Sequence, residues 1–264
     1  MKFCALASGS SGNCIYVEHK GTRILVDAGI SAKRIAEALG EIGVEPESIE
    51  AMLITHDHSD HIQGAAVFSR KYGTDIYATQ GTLQYICANC RAKPDNSRQH
   101  FVRKTEAFDI GNIRIEPFAV LHDAIDPVGY ALCGDDRRLG IATDLGTFDE
   151  VIVSKLFGAD ALYIEANHDV NMLMLGTYPY QIKCRINSDI GHLSNEACAD
   201  LIGRVRTERM KTVVLAHISR ENNFAELAYE TVKQSILSDK RFENVPELII
   251  ARRDGPTGII ELGG

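Results

Sequence analysis

Seven residues, THDHSDH at 55–61, set three imidazoles and two carboxylates directly behind the apolar run MLI and just ahead of Gly64. A strand end aims side chains two apart to one side, so His56 and His58 point together. Asp60 and His61 follow on the turn into a helix and reach a neighbouring point. Imidazole and carboxylate donors without thiolate suit Zn, Mn or Fe. Two such ions about 3.5 to 4 Å apart, the arrangement used to hydrolyse phosphate esters and amides, fit this run better than one.

The rest of the chain has to supply a folded frame for that run. Over 264 residues, 45% are hydrophobic and 24% charged, which is enough to build a core and excludes a disordered or collagen-like chain. No apolar run approaches the roughly 20 residues that span a bilayer, so no membrane association is expected. MKFCALASGSSGNC breaks into Ser and Gly before a signal-peptide core develops, which predicts a cytoplasmic protein. The seven cysteines, an odd number spread from Cys4 to Cys198, read as small buried hydrophobes rather than a disulfide frame. Cys87 and Cys90 form one CxxC, and a zinc site would need a second pair. A formal charge of −8 repels polyanions, so any nucleic-acid surface must be local. Two basic stretches qualify: Arg91, Lys93, Arg98, Arg103 and Lys104 against Asp95, and Arg204, Arg206, Arg209 and Lys211 against Glu208.

No internal repeat or low-complexity linker divides the chain, so one domain over 1–264 is expected. Strands are predicted at 3–6, 15–18, 23–26, 51–56 and 75–78. Ser31 N-caps a helix with Ile35, Leu39 and Ile42 on one stripe, stopped by Gly43, and a second helix covers 64–73. Further strands at 113–121, 129–133 and 139–142 follow, the last two joined by the hairpin turn GDDR. Helices at 148–157, 194–206 and 224–238 then each precede a strand, at 160–166, 212–217 and 247–251. Mixed strands with outer helices in both halves predict an α/β fold, a four-layer αββα sandwich with the active site along one edge.

His56, His58, Asp60 and His61 reproduce an HxHxDH signature, and the chain here resembles the metallo-β-lactamase fold superfamily. Its other motifs recur in order: Asp27 in ILVDAG, His122 in FAVLHD, Asp144 in GIATDLG and His217 closing VVLAH. The resemblance covers the whole chain and implies the metallo-β-lactamase sandwich. It implies further that His56, His58 and His122 bind one metal, that Asp60, His61 and His217 bind a second, and that Asp144 bridges them. Asp27 then orients the His-rich loop from behind the ligands.

LASGSSGNC at 6–14, EANHD at 165–169, GHLSNE at 191–196 and LAHISRENN at 215–223 are similar to the YycJ group, related to transfer-RNA 3′ processing enzymes and ribonuclease J. The likeness implies a 5′ to 3′ exonuclease on double-stranded DNA. The length leaves no room for the large inserted clamp domain of ribonuclease J, so loops must select the substrate. GHLSNEACADL resembles the motif whose His protonates the leaving oxygen in the transfer-RNA enzymes, here His192. IEA at 164–166 resembles the strand end that supplies its acidic partner, here Glu165. The implied reaction is in-line attack on phosphorus by a water that two divalent ions, Zn or Mn, activate and Asp60 holds. His192, kept cationic by Glu165, protonates the departing sugar oxygen.

Ser8, Ser10, Ser11 and Asn13 are expected to offer hydroxyls and backbone N–H groups to phosphate, and His168 to touch substrate. Residues 171–184, with Met172, Met174, Tyr178 and Tyr180, read as an irregular lid or base-stacking platform. His19 and His100 are expected at the surface. Two other readings stay open. A thioester or lactone hydrolase on this scaffold would need neither the His192 donor nor a basic stretch. A non-catalytic metal-binding regulator would betray itself by a missing ligand.

Overall fold

Alternation with apolar residues on both faces, rather than apolar against polar, decides the layering. The structure, a computed structural model, describes residues 1–263. In its first strands, β1 (Lys2–Ala7), β2 (Cys14–His19), β3 (Thr22–Val26) and β4 (Ala51–Leu53), Phe3, Val17, Ile24 and Leu53 face one way. Cys4, Tyr16, Leu25 and Met52 face the other, and both sets are buried. Such strands must be covered on both sides. Helices α1 (Ala32–Glu41), α2 (Ser59–Ile62), α3 (Ala65–Tyr72) and α4 (Gln80–Asn89) belong to this half. Ile35, Leu39, Phe68 and Ile86 from α1, α3 and α4 close its outer face. The sheet continues through β5 (Asp75–Ala78) and β6 (Gln99–Phe101).

The second half repeats the logic with β7 (Phe108–Ile110), β8 (Ile113–Ala119), β9 (Val128–Gly134), β10 (Arg137–Ala142), helix α5 (Glu150–Leu156) and β11 (Ala161–Glu165). After α6 (Val170–Leu175), α7 (Tyr180–Ile186) and α8 (Asn195–Val205) come β12 (Thr212–Ala216), α9 (Ala225–Ser238), β13 (Glu247–Ile250) and β14 (Ile260–Glu261). Ala161, Tyr163 and Val214 join Phe3 and Val17 in one central core, while Leu162, Ile164 and Val213 pack under α5, α8 and α9. Three buried layers between four tiers give the αββα sandwich that the sequence predicts.

Two seven-stranded sheets result, ordered β14-β1-β2-β3-β4-β5-β6 and β13-β12-β11-β10-β9-β8-β7. Strands β3 to β6 are parallel, and β1 shares their direction because β1/β2 and β2/β3 are both antiparallel. By the same reasoning β8, β10, β11, β12 and β13 run one way. Each sheet therefore sends most of its carboxyl ends to one edge.

Several local expectations are met. Ser31 caps α1 by accepting the Arg34 N–H, and Gly43 follows at φ +73°. The GDDR hairpin joins β9 to β10 with Asp135 left-handed. Others need correction. Residues 171–184 are not irregular: α6 and α7 occupy most of the stretch, with Leu173 buried against the fold while Leu175 and Tyr180 stay exposed. His19 is buried, its Nε2 3.3 Å from Asp135, because the β9–β10 hairpin folds over it. All seven cysteines are free, but only Cys4, Cys14 and Cys198 are buried and Cys184 is exposed. No helix among the described residues is long and apolar enough to cross a membrane.

Both basic stretches are largely neutralised from within. Arg98 pairs with Asp75 (3.1 Å), Arg103 with Glu106 (2.9 Å) and Lys104 with Asp126 (2.6 Å). Arg204 meets Asp200 (3.2 Å), Arg209 meets Asp160 (3.1 Å), and Arg206 is 1% exposed with its guanidinium on the Ile236 and Asn244 carbonyls. Most of these partners come from distant elements, so local sequence could not reveal them.

Candidate metal centre

Three of the site residues sit one or two residues past a strand, in left-handed backbone. Asp27 follows β3, Asp144 follows β10 and His217 follows β12, with φ of +62°, +59° and +49°. L-residues hold that conformation at about 1–3 kcal/mol each, and non-glycine examples gather where side-chain placement matters more than backbone comfort. The His-rich run leaves β4 in extended form and enters α2 at Ser59, so Asp60 and His61 lie in that helix.

The donors gather as the sequence expects. Donor atoms of His56, His58 and His122 lie within 4.8 Å of one another, and so do those of Asp60, His61 and His217. Asp144 stands between the groups, with Oδ2 3.3 Å from His61 Nε2 and Oδ1 3.4 Å from His217 Nδ1 and 3.9 Å from His122 Nε2. The far ring nitrogens are held from behind. His61 Nδ1 meets Asp27 Oδ2 at 2.8 Å, His56 Nδ1 meets Thr55 Oγ1 at 3.0 Å, and His122 Nδ1 meets the Gly191 carbonyl at 3.0 Å. These contacts set the tautomers, protonating Nδ1 and turning the Nε2 lone pairs inward. His56 Nε2, His217 Nε2 and Asp144 Oδ2 are buried with no hydrogen-bond partner. Buried polar atoms left without partners in both donor groups fit divalent cations, since such an atom is costly otherwise.

The charges agree. Burial pushes the Asp144 carboxyl up, yet His217 and His61 overrule it and hold it well below the carboxylate range. Burial pulls the His217 imidazole down, but Asp144, Asp60 and Glu165 push it up to about 10, and Asp27 and Asp144 raise His61 likewise. Burial keeps His56 low, and the neighbouring His61 adds to it. Without metal, then, His61 and His217 hold the protons that a cation would displace.

Asp27 accepts the Thr55 N–H (2.8 Å) and hydroxyl (2.9 Å) as well as His61. Asp27→Ala should therefore cost about 3 kcal/mol of stability, read by urea unfolding, because three buried donors lose their acceptor. Metal binding should weaken about 10- to 100-fold, since the imidazole loses its orientation. Unchanged unfolding midpoint and metal affinity would refute this role. Thr55, quoted in the run only as its first letter, is a residue the sequence reading misses. The signal was its position: a strand-end hydroxyl adjoining His56 and six residues before His61.

At one flank His192 Nδ1 lies 3.1 Å from Glu165 Oε2 and 3.6 Å from Asp144 Oδ1. Glu165 is fully buried, and its Oε1 accepts the Leu145 and Leu193 N–H groups. Burial alone would raise this carboxyl, but His192 first and then His217 bring it down to about 2. Ser194, not His192, caps α8 by accepting the Ala197 N–H.

The expected substrate contacts divide. Ser8 is buried and accepts the His217 N–H (3.0 Å), and Asn13 is buried against Gly9, Asp60 and His61. Both support the site from within. Ser10 and Ser11 remain exposed beside Asp60 in a cleft. His168 is buried, and neither of its ring nitrogens has a hydrogen-bond partner. Its neighbour Asn167 instead donates to the His217 carbonyl (2.9 Å). Cys87 donates to Gln99, and neither Cys87 nor Cys90 falls in a candidate metal group among the described residues.

Residues 22–218 match the β-lactamase superfamily domain. Exodeoxyribonuclease WalJ of Streptococcus pneumoniae is 44% identical over 232 residues, 88% of this chain and 86% of its own length. Exodeoxyribonuclease YycJ of Bacillus anthracis is 39% identical over 246 residues, 92% of this chain and 91% of its own. The metallo-β-lactamase fold protein YhfI from Bacillus subtilis superposes with a TM-score of 0.72 at 15% identity, covering 98% of this chain and 99% of that one. That last likeness concerns the fold alone.

Proposed function

Since the chain belongs to the metallo-β-lactamase superfamily, in the group of the WalJ and YycJ exodeoxyribonucleases, we propose that it is a metal-dependent exonuclease that degrades double-stranded DNA from the 5′ end. The same reading has it bind two divalent ions, Zn or Mn, and act as one domain over 1–264 in the cytoplasm. The observation that carries it is the pairing of two donor triads around Asp144 with a carboxylate-backed imidazole beside them.

In this reading His56, His58 and His122 would hold one ion and Asp60, His61 and His217 the other, with Asp144 available to both. Ions bound there supply Lewis-acid neutralisation of the phosphate and lower the pKa of water near phosphorus. The protein's own groups do the rest. Asp60 orients the attacking water, and Asp27 and Thr55 keep the imidazoles aimed. Glu165 holds His192 as a proton donor, because a sugar alkoxide leaves poorly unless it is protonated as its bond breaks. That donor pair favours a phosphodiester over a thioester, whose thiolate leaves with less help. All seven ligand positions are filled, against a regulator that keeps only the fold.

The direct test is metal content with digestion of 5′-phosphorylated, end-labelled duplex DNA. About two ions per chain and loss of the 5′ label first are expected, with chelation stopping both. Full activity at a metal stoichiometry near zero would sink the reading.

A further inference from the structure

One cavity is left unused by the two triads. Beyond Asp60 a cleft of about 750 Å³ opens between the His-rich loop, α3 and the end of α4, a size that accommodates a nucleotide. Arg70 on α3 and Arg91 just after α4 are exposed in its wall. Neither makes an ion pair among the described residues, whereas Arg98, Arg103, Lys104, Arg204 and Arg209 all do. The acids in the lining are committed elsewhere. Asp57 accepts the Ile125 N–H (2.7 Å), and Asp60 lies 3.6 Å from both His61 and His217. Tyr85, half-buried on α4, adds an aromatic ring.

The position of the cleft also has a direction. His192 stands at the Glu165 end of the cluster and Asp60 at the other, with Asp144 and His217 between. A leaving oxygen must lie by His192, so the strand that keeps the phosphoryl group runs away from that end of the cluster, and the cleft opens on the Asp60 side. We propose that this cleft binds the part of the nucleic-acid strand that keeps the phosphoryl group, Arg70 and Arg91 holding backbone phosphates and Tyr85 stacking on a base. The proposal rests on the nuclease reading above and narrows the polyanion surface to Arg91, an unpaired member of the first basic stretch, and Arg70 outside it. Arginine without an internal partner can exchange counterions for phosphate, which a paired one cannot do without losing its partner.

The test uses the full chain with metal bound and duplex DNA as substrate, KM being measured over a range of salt. Arg70→Ala/Arg91→Ala should raise KM about 10- to 100-fold near 0.15 M salt and reduce the slope of log KM against log salt by about 2, one per phosphate contact. Arg103→Ala/Lys104→Ala, removing paired cations, should keep the wild-type slope. Tyr85→Ala should raise KM about 10-fold and Tyr85→Phe should restore it, because stacking needs the ring and not the hydroxyl. Metal content and melting temperature of each variant report whether the fold is intact. A wild-type slope in the Arg70/Arg91 variant, or a loss of slope confined to the Arg103/Lys104 variant, overturns the proposal. Wild-type protein that leaves DNA uncut overturns the nuclease reading itself, and the two failures are thereby told apart.

Discussion

Replacing Asp144 with alanine should lower nuclease activity by about 10⁴-fold or more, since several kcal/mol of transition-state charge stabilisation depends on the ions that this carboxylate would share. Asp144 is 2% exposed and lies within 4 Å of donor atoms on His61, His122, His192 and His217. Its loss removes the anion common to both halves of the cluster, and metal content measured on the purified variant should fall with activity. Full metal content alongside full activity would show that Asp144 is not shared. Chelation of the wild type should lower the melting temperature by about 5–10 °C, because an ion at 100 times its Kd contributes about 2.7 kcal/mol to folding.

The metal-free protein has a distinctive pH dependence. The His217 imidazole, at about 10 when folded against an ordinary 6.5, contributes stability that is complete below pH 6.5 and fades as pH rises through about 10. Metal-free protein should thus melt at progressively lower temperature over that window. Metal affinity should rise over the same window, because fewer protons remain to be displaced from His61 and His217. Calorimetry in buffers of different ionisation enthalpy would count the protons released. A metal-free melting temperature that climbs across this range would contradict the charge assignment.

His192→Ala separates proton donation from metal holding. The variant should keep its metal and its affinity for DNA while turnover falls about 10²- to 10⁴-fold. With a nitrophenyl phosphodiester the defect should nearly vanish, because that leaving group departs without a proton. Glu165→Gln should reproduce part of the loss on DNA, since the amide keeps the shape but not the charge 3.1 Å from His192. An alanine variant that loses metal, or slows both substrates alike, would make His192 a ligand or a structural residue.

The donor cluster was legible in the sequence because its largest part is contiguous: His56 to His61 carry their geometry in their spacing, and the remaining donors each follow a recognisable apolar run. Layering was legible for the same reason, since Phe3, Cys4, Ala5 and Leu6 already show a strand buried on both faces. What the spacing alone does not show depends on partners far away in the chain. Ser8 and Asn13 look like solvent-facing turn residues until residue 217 and residues 60–61 are brought beside them. His168 follows a strand end just as a ligand would, and only the placement of the α8 terminus against it shows that it is enclosed. Helix α4 offers Thr82 and Ile86 as its buried residues, too short an apolar stripe to announce a helix.

The left-handed turns after β3, β10 and β12 also bear on how the site is made during synthesis. Four donors of the His-rich run leave the ribosome within six residues, but their partners wait for positions 122, 144 and 217. A cation caught early by the nascent loop is held by that loop alone, open to water and free to exchange. Once β12 has docked and its turn has delivered His217, the finished cavity imposes its own coordination. Under the two-ion reading, the metal that the mature protein carries would be decided by the folded site and the cell's free-ion pool, not by whichever ion the growing chain meets first.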